Sequence, residues 1–196
     1  MENRSVQRVM LVDDTAKNVG LLREALLAAG LEVVCAGGSA LELPRRVAEA
    51  DPDIIIVDTE SPTRDVLEQI CVLSQSAPRP IVMFTADGEN ASIQAALRAG
   101  VAAYVVDGFS AERLASILEV ASARFEMMQD LRNQLAEAQD KLSERKLIER
   151  AKGLVMKHRG VTEEEAYRML RKMAMDRGAR LADLARQVIE VSDLLG

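Results

Sequence analysis

The chain has 196 residues, of which 48% are apolar and only 3% aromatic, and its formal net charge is −6. This length suits one ordinary domain joined to a smaller one. The start, MENRSVQR, is polar and no apolar run approaches the ~18 residues that a membrane span requires, which argues against a membrane protein and predicts a cytoplasmic one.

Five short runs rich in β-branched residues predict strands at 8–12, 32–35, 53–57, 80–84 and 103–106. The stretches between them predict helices at 18–29, 44–50, 64–75 and 90–99. Because four of the five runs are almost continuously apolar, both faces of the sheet are expected to be buried. The sequence therefore predicts an α/β fold with a doubly wound, five-stranded parallel sheet.

One long helix is predicted from Ser110 to about His158, since this stretch has no proline and a single glycine, Gly153. Its first apolar positions are expected to pack on the sheet. Farther along, apolar residues recur at alternating intervals of three and four, at Met128, Leu131, Leu135, Ala138 and Leu142. This two-heptad pattern favours a coiled-coil seam against a partner helix over packing on its own domain. We therefore expect a homodimer.

The end of the chain predicts two further helices. Gly160 interrupts the long helix, and Thr162 with Glu165 forms a capping-box pattern that starts a helix over 163–176. After Gly178, apolar residues at helical spacing from 181 to 195, Val191 among them, predict a third amphipathic helix. Residues 145–196 thus read as a small all-helical bundle.

Polar residues follow three of the predicted strands. Asp13 and Asp14 follow the first, Asp58 follows the third and Thr85 follows the fourth. The carboxyl ends of parallel strands converge on one functional crevice. Three carboxylates in one pocket repel each other, and a hard divalent cation such as Mg²⁺ relieves that repulsion. One of the carboxylates can then accept a phosphoryl group.

The stretches MLVDD, IIIVD, FTA and AYVVDGF resemble the receiver domain of two-component response regulators, over residues 8 to about 120. The resemblance implies that Asp13, Asp14 and Asp58 hold Mg²⁺. It also implies that Asp58 is the phospho-acceptor in a phosphorelay from a histidine kinase. By the same resemblance, Thr85 and Tyr104 would transmit phosphorylation to the outer face.

One departure from the receiver pattern concerns the end of the last strand. The family has a lysine and a proline there, and this chain has Asp107 and Gly108. An anion therefore stands where a cation would stabilise the phosphoryl group. Lys17 and Arg64 are the cations considered as compensation. We expect a receiver that binds Mg²⁺ but whose output is not governed by phosphorylation.

The tail carries the opposite charge from the rest of the chain. Residues 1–124 hold 11 basic and 18 acidic residues, whereas residues 145–180 hold 11 basic and 5 acidic. This asymmetry favours a polyanionic partner for the tail. The candidate contact residues combine cations with a stacking ring and a glycine that admits another backbone. They are Arg150, Lys152, Gly153, Tyr167, Arg168, Arg171 and Lys172.

The tail from ERKLIERAKGLVMKHRG to the end resembles the ANTAR domain, a three-helix RNA-binding module of transcription antiterminators. The stretches VDDTAKNVGLLREAL, VDTESP and PRPIVMFT joined to this tail resemble the NasT-type antiterminators of nitrate assimilation. That resemblance implies binding to a leader-RNA hairpin upstream of nitrate and nitrite assimilation genes. It also implies a nitrate-sensing, NasS-like partner that holds the regulator inactive.

The predicted organisation is a receiver domain at 1–122, a coiled-coil linker helix at 123–143 and an ANTAR domain at 144–196. One alternative is a DNA-binding two-component transcription factor controlled by phosphorylation of Asp58, because small helical tails on receivers are often helix-turn-helix units. Another is a dimerisation adaptor without a nucleic-acid partner, which leaves the basic cluster unexplained. No enzyme is expected, since the sequence has no Ser/His/Asp set for nucleophilic catalysis and no glycine-rich loop that would bind phosphate.

Overall fold

The computed structural model describes residues 6–13, 19–36, 42–106 and 111–195. Asp14, Lys17, Asp107 and Gly108, all used in the sequence predictions, lie outside the described residues. The chain divides into two compact units, residues 1–129 and residues 130–196. No helix of the described residues is long and apolar enough to cross a membrane.

The first unit contains five parallel strands in the order β2-β1-β3-β4-β5. Their bounds are β1 (Arg8–Asp13), β2 (Glu32–Ala36), β3 (Ile54–Thr59), β4 (Ile81–Thr85) and β5 (Ala103–Val106). The helices that connect them are α1 (Val19–Ala28), α2 (Leu43–Ala50), α3 (Arg64–Ser76) and α4 (Asn90–Ala99). The predicted α/β fold is confirmed.

The interior positions of the strands are apolar because each face of the sheet is covered by helices. Side chains alternate between the two faces with a period of two. One set packs against α2, α3 and α4, and it includes Met10, Val12, Ile55, Val57 and Met83. The other set packs against α1 and the long helix that follows β5, and it includes Val9, Leu11, Ile54, Ile56 and Phe84.

Local signals set the ends of several helices. Pro44 lies in the first turn of α2, where its missing N–H costs no helical hydrogen bond. Thr63 caps α3 by accepting a hydrogen bond from the amide of Val66 at 3.4 Å. Gly100 ends α4 with φ +114°, and a Cβ there would lie 2.8 Å from Ser74 Cβ. Both facts require glycine at this position.

The long predicted helix is confirmed as α5 (Ala111–Arg159), 49 residues without interruption. Its first turns belong to the first unit, where Leu114, Leu118 and Ala121 are buried against the sheet. Gly153 lies inside the helix, as expected. Gly160, with φ +65°, follows its end, in the left-handed conformation that commonly terminates helices.

The second unit packs the end of α5 with α6 (Glu163–Asp176) and α7 (Leu181–Leu195). The predicted capping box is present, because Thr162 and Glu165 each bond the other's backbone amide. The bundle core contains Ala151, Leu170, Ala174, Leu184, Ala185 and Ile189. Val191, one of the apolar positions of the predicted helix, lies outside this core, since it is 53% exposed. Two residues past Ile189, it points to the opposite side of α7.

Candidate functional sites

The first candidate site lies at the carboxyl ends of β1 and β3. The two strands pair in parallel with Asp13 directly opposite Asp58. Both side chains are buried, with exposures of 3% and 8%. Each follows an apolar run that is covered on both faces, so each carboxylate marks the point where its strand leaves the core. The sequence prediction that these two acids come together is confirmed by this register.

Two buried carboxylates side by side form an oxygen-rich environment that fits a hard divalent cation. The third predicted ligand, Asp14, lies outside the described residues. Within the part of the chain that the structure describes, no group of three or more His, Cys, Asp or Glu side chains comes together. Asp13 and Asp58 are therefore the described residues that would hold Mg²⁺, and the ion would offset their mutual repulsion.

Thr85 links the loops that follow β3 and β4. Its side chain is 3% exposed, and its Oγ1 donates a hydrogen bond to the carbonyl of Glu60 at 2.9 Å. The same oxygen accepts a hydrogen bond from the amide of Asp87 at 3.1 Å. In this conformation the hydroxyl of the predicted switch residue connects two loops.

Asp87, which the sequence analysis did not single out, is the centre of this connection. Its carboxylate accepts hydrogen bonds from the hydroxyls of Ser61 and Ser92, both at 2.8 Å, and from the amide of Glu89 at 2.9 Å. Tyr104 donates its hydroxyl to the Asp87 carbonyl at 2.8 Å. The only local signal in the sequence was an aspartate two residues before the amide of Glu89, a spacing that is typical of an Asx turn.

These contacts shift the pKa of two groups. The hydrogen bond from the Glu89 amide, followed by those from the two serines, lowers the pKa of Asp87. Burial, followed by the negative charge of Asp87, raises the pKa of Tyr104. At neutral pH the pair is therefore an ionised carboxylate beside a neutral phenol, and the phenol ties β5 to the loop after β4 through the Asp87 carbonyl.

Of the two cations considered as compensation for Asp107, Arg64 lies among the described residues. Lys17 lies outside the described residues. Arg64 is exposed and pairs with Glu68, one turn farther along α3, at 2.8 Å. Glu60, next to the pocket, is also exposed.

The second candidate site is the exposed side of α6 in the second unit. The buried side of this helix consists of Ala166, Leu170 and Ala174. The opposite side displays Tyr167, Arg168, Arg171 and Lys172, all exposed. Tyr167 is 42% exposed and is not a member of the core cluster of the bundle.

Spacing along α6 places the ring and the cations in two adjacent rows. Tyr167 and Arg171 are four residues apart, as are Arg168 and Lys172, so each pair shares one helical row. Arg168 lies 3.6 Å from Glu164 in an exposed pair, which a competing phosphate can displace at little cost. Among the described residues, Arg171 and Lys172 enter no ion pair.

Arg150 and Gly153 lie on α5. Arg150 is exposed and donates to both oxygens of Asp193 on α7, at 2.9 and 3.0 Å. Gly153 is exposed, and a Cβ at its position would meet no atom within 4 Å. Glycine inside a helix costs about 1 kcal/mol relative to alanine. Among the described residues no packing requires glycine here, so the position is open to close approach by another molecule.

Lys152 differs from the other predicted contact residues. The sequence grouped it with the surface cations, but it is only 7% exposed. Its ammonium lies 2.7 Å from Glu163 and 2.9 Å from Glu149. The hydrogen bond to Glu163, followed by that to Glu149, raises the pKa of Lys152. In this structure its charge is directed to carboxylates of the same bundle.

The predicted seam on α5 is open. Met128, Leu131, Leu135 and Leu142 are between 46% and 60% exposed, and Ala138 is exposed as well. A row of large apolar side chains in water is unfavourable for an isolated helix. The seam is thus available for the partner helix that its heptad spacing predicts.

The doubly wound sheet, the paired acids after β1 and β3 and the threonine after β4 define a receiver domain. Residues 9–119 match the response regulator receiver domain family, and residues 136–189 match the ANTAR domain family. The chain belongs to the response regulators that join a receiver domain to an ANTAR domain.

Individual relatives agree with this assignment. The transcriptional regulatory protein PdtaR of Mycobacterium tuberculosis is 33% identical over 184 residues, which cover 94% of this chain and 90% of the relative. The nitrate regulatory protein of Klebsiella oxytoca is 48% identical over 67 residues, which cover 34% of this chain but 17% of that protein. Among solved structures, the chemotaxis response regulator CheY4 of Vibrio cholerae matches 60% of this chain and 99% of its own, with a TM-score of 0.52 at 24% identity.

Proposed function

We propose that this chain is a transcription antitermination regulator that binds hairpin leader RNA through an ANTAR domain at residues 144–196. Its targets would be nitrate and nitrite assimilation genes. A receiver domain at 1–122 would collect the input, and a linker helix at 123–143 would form a coiled coil. The role is regulatory rather than enzymatic.

The observation that carries the proposal is the exposed side of α6. RNA readers combine phosphate contacts with stacking of unpaired bases on aromatic rings. Tyr167 provides the ring, while Arg168, Arg171 and Lys172 provide cations within one or two turns of it. Phosphates of a hairpin stem and an unpaired loop base are the two chemical groups that this combination matches.

Two features of α5 support the same partner. Arg150 adds a cation whose exposed pairing with Asp193 is readily exchanged for phosphate. Gly153 leaves an open position on the exposed helix surface, so a nucleic-acid backbone can approach the helix closely. The printed name of the Klebsiella relative, a nitrate regulatory protein, supports nitrate assimilation as the regulated process.

For the input we propose control by a nitrate-sensing, NasS-like protein that sequesters the regulator. Asp58 remains the residue that a histidine kinase would phosphorylate, with Mg²⁺ held by Asp13, Asp14 and Asp58. The anionic Asp107 weakens stabilisation of a phosphoryl group at that place, which favours protein sequestration as the principal control. Thr85 and Tyr104 would transmit either input through the loops they connect.

We propose that the active form is a homodimer. The exposed seam residues Met128, Leu131, Leu135 and Leu142 repeat at coiled-coil spacing. A dimer would present two copies of the α6 surface, and two linked surfaces bind a pair of hairpins more tightly than either does alone. Dimerisation and RNA binding are therefore expected to strengthen each other.

A gel-shift titration of the full chain against a two-hairpin leader RNA tests the proposal. Arg171→Ala should weaken binding and lower the slope of log affinity against log salt by about 0.7, the value for one phosphate contact on a single strand. The matched control is Arg98→Ala, which removes an exposed arginine from α4 of the receiver and should change nothing.

Duplex DNA is the competing probe in the same experiment. Preference for duplex DNA over the hairpins would support the alternative of a DNA-binding two-component factor. Failure to bind either nucleic acid would reject both readings and leave the dimerisation adaptor.

A further inference from the structure

Lys152 is the one buried member of the predicted contact set, and its charge is paired inside the bundle. Burying an ammonium is costly unless it is paired and hydrogen-bonded. Here it has two carboxylates, Glu163 at 2.7 Å and Glu149 at 2.9 Å. Placing the same ammonium on an RNA phosphate would require breaking both contacts and moving a buried side chain into solvent.

The two carboxylates come from different helices. Glu149 lies three residues before Lys152 on α5, whereas Glu163 is the first residue of α6. The Lys152–Glu163 contact therefore spans the turn around Gly160. The neighbouring capping box of Thr162 sets where α6 begins, but a cap alone does not define how the helix is rotated about its axis.

Glu163 lies in the same helical row as two residues of the candidate RNA surface. Tyr167 follows it by four residues and Arg171 by eight, and positions at this spacing share one side of a helix. Fixing the Glu163 carboxylate against α5 thus fixes the direction in which Tyr167 and Arg171 point. A few degrees of rotation at the first turn would be carried to both of them.

We propose that Lys152 is a positioning residue: by clamping Glu163, it sets the rotation of α6 that presents Tyr167 and Arg171 to RNA. This inference rests on the RNA-binding function proposed above. It assigns Lys152 a role distinct from the phosphate contact that the sequence predicted. The pKa directions agree with the geometry, since the hydrogen bond to Lys152 lowers the pKa of Glu163 and keeps the pair charged at neutral pH.

The sign of one substitution separates positioning from direct contact. Glu163→Gln removes a negative charge near the RNA surface, so electrostatics alone predicts equal or tighter binding. If Glu163 is needed to orient α6, the same substitution weakens binding. Glu164→Gln is the matched control, because it removes the neighbouring exposed carboxylate from the same helical turn without touching Lys152.

The experiment measures the affinity of the full chain for the two-hairpin leader RNA by fluorescence anisotropy at several salt concentrations. We expect Lys152→Met to weaken binding about tenfold, the loss of one stacked base, and to leave the salt slope unchanged when it is made in an Arg171→Ala chain. Glu163→Gln should produce a similar loss, and the double variant should be no weaker than either single variant. Lys152→Arg should recover most of the affinity, and Glu164→Gln should bind as tightly as the native chain or more so.

Three results would overturn the inference. One is native-like or tighter binding by Glu163→Gln. Another is a salt slope that falls by about a further 0.7 when Lys152→Met is added to Arg171→Ala, because with the Arg171 contact already absent this fall marks a phosphate contact by Lys152 itself. The third is a loss of RNA affinity that parallels a loss of folding. Far-ultraviolet circular dichroism and urea midpoints are therefore recorded for each variant. Lys152→Arg must restore affinity at equal helicity.

Failure of the proposed function is distinguishable from failure of the clamp. If the native chain does not bind the hairpins, both the RNA-binding function and the positioning role are rejected. The urea midpoints of the two single variants and the double variant still report the Lys152–Glu163 contact in that case. If the native chain binds but the Glu163→Gln loss is missing, the clamp alone is rejected.

Discussion

Replacing Tyr167 by leucine isolates the stacking part of the proposed RNA surface. Leucine keeps an apolar side chain at this position, removes the aromatic face and alters no charge. Because the ring is 42% exposed and outside the bundle core, the substitution should lower the free energy of unfolding by at most about 1 kcal/mol. Any larger effect on RNA binding therefore comes from the lost ring face.

The expected loss of affinity follows from the value of one stacked base. Stacking on an aromatic side chain contributes about 1–3 kcal/mol per base, and every 1.4 kcal/mol is roughly tenfold in Kd. Tyr167→Leu should therefore weaken binding to the two-hairpin leader RNA by about 5- to 150-fold. The slope of affinity against salt should stay as in the native chain, since no cation is removed.

Fluorescence anisotropy at two or more salt concentrations measures both quantities. Tyr167→Phe is the control, because it retains the ring and loses only the hydroxyl, and its affinity should stay within about twofold of native. Native affinity in Tyr167→Leu would refute the stacking argument. Equal losses in the phenylalanine and leucine variants would assign the effect to the hydroxyl instead.

Three further predictions concern the receiver and the seam. In a chain that carries Tyr167→Phe, so that Tyr104 is the remaining tyrosine, Asp87→Asn should lower the pKa of Tyr104. Phenolate absorbance measures this pKa. Folding lowers the pKa of Asp87, so the ionised Asp87 carboxylate stabilises the protein at neutral pH. This stabilisation is lost as pH falls below about 4. The urea midpoints of the native chain and of Asp87→Asn should therefore converge in acid. Leu135→Asp should convert the dimer into a monomer in analytical ultracentrifugation, with Gln134→Asp as the control. A monomeric native chain would contradict the proposed dimer seam. An acyl-phosphate donor with Mg²⁺ should leave hairpin affinity nearly unchanged, as should Asp58→Asn, and a strong response to either would restore phosphorylation as the control.

The features that could be predicted from sequence depend on short-range patterns. The bounds of α6 follow from Thr162, Glu165 and the glycines on either side, and all of these signals act within one or two helical turns. The pairing of Asp13 with Asp58 follows from two apolar runs that each end in aspartate, because parallel strands bring their carboxyl ends to the same edge.

The features that escaped prediction depend on contacts between distant parts of the chain. The Asp87 connection needs Ser61 and Tyr104, which are 26 and 17 residues away, and no local pattern announces such partners. The burial of Lys152 depends on where the turn at Gly160 places Glu163. A lysine in a basic stretch looks like a surface charge until the partner helix has been positioned.

The open position at Gly153 has a consequence for anyone who wishes to engineer this protein. Alanine there would fit without a clash and should raise the free energy of unfolding by about 1 kcal/mol. Chemical denaturation should record that gain, while the added methyl group occupies the space proposed for the nucleic-acid backbone. A screen for thermostable variants would therefore select a substitution that impairs regulation. A library ranked by melting temperature alone would discard the functional regulator.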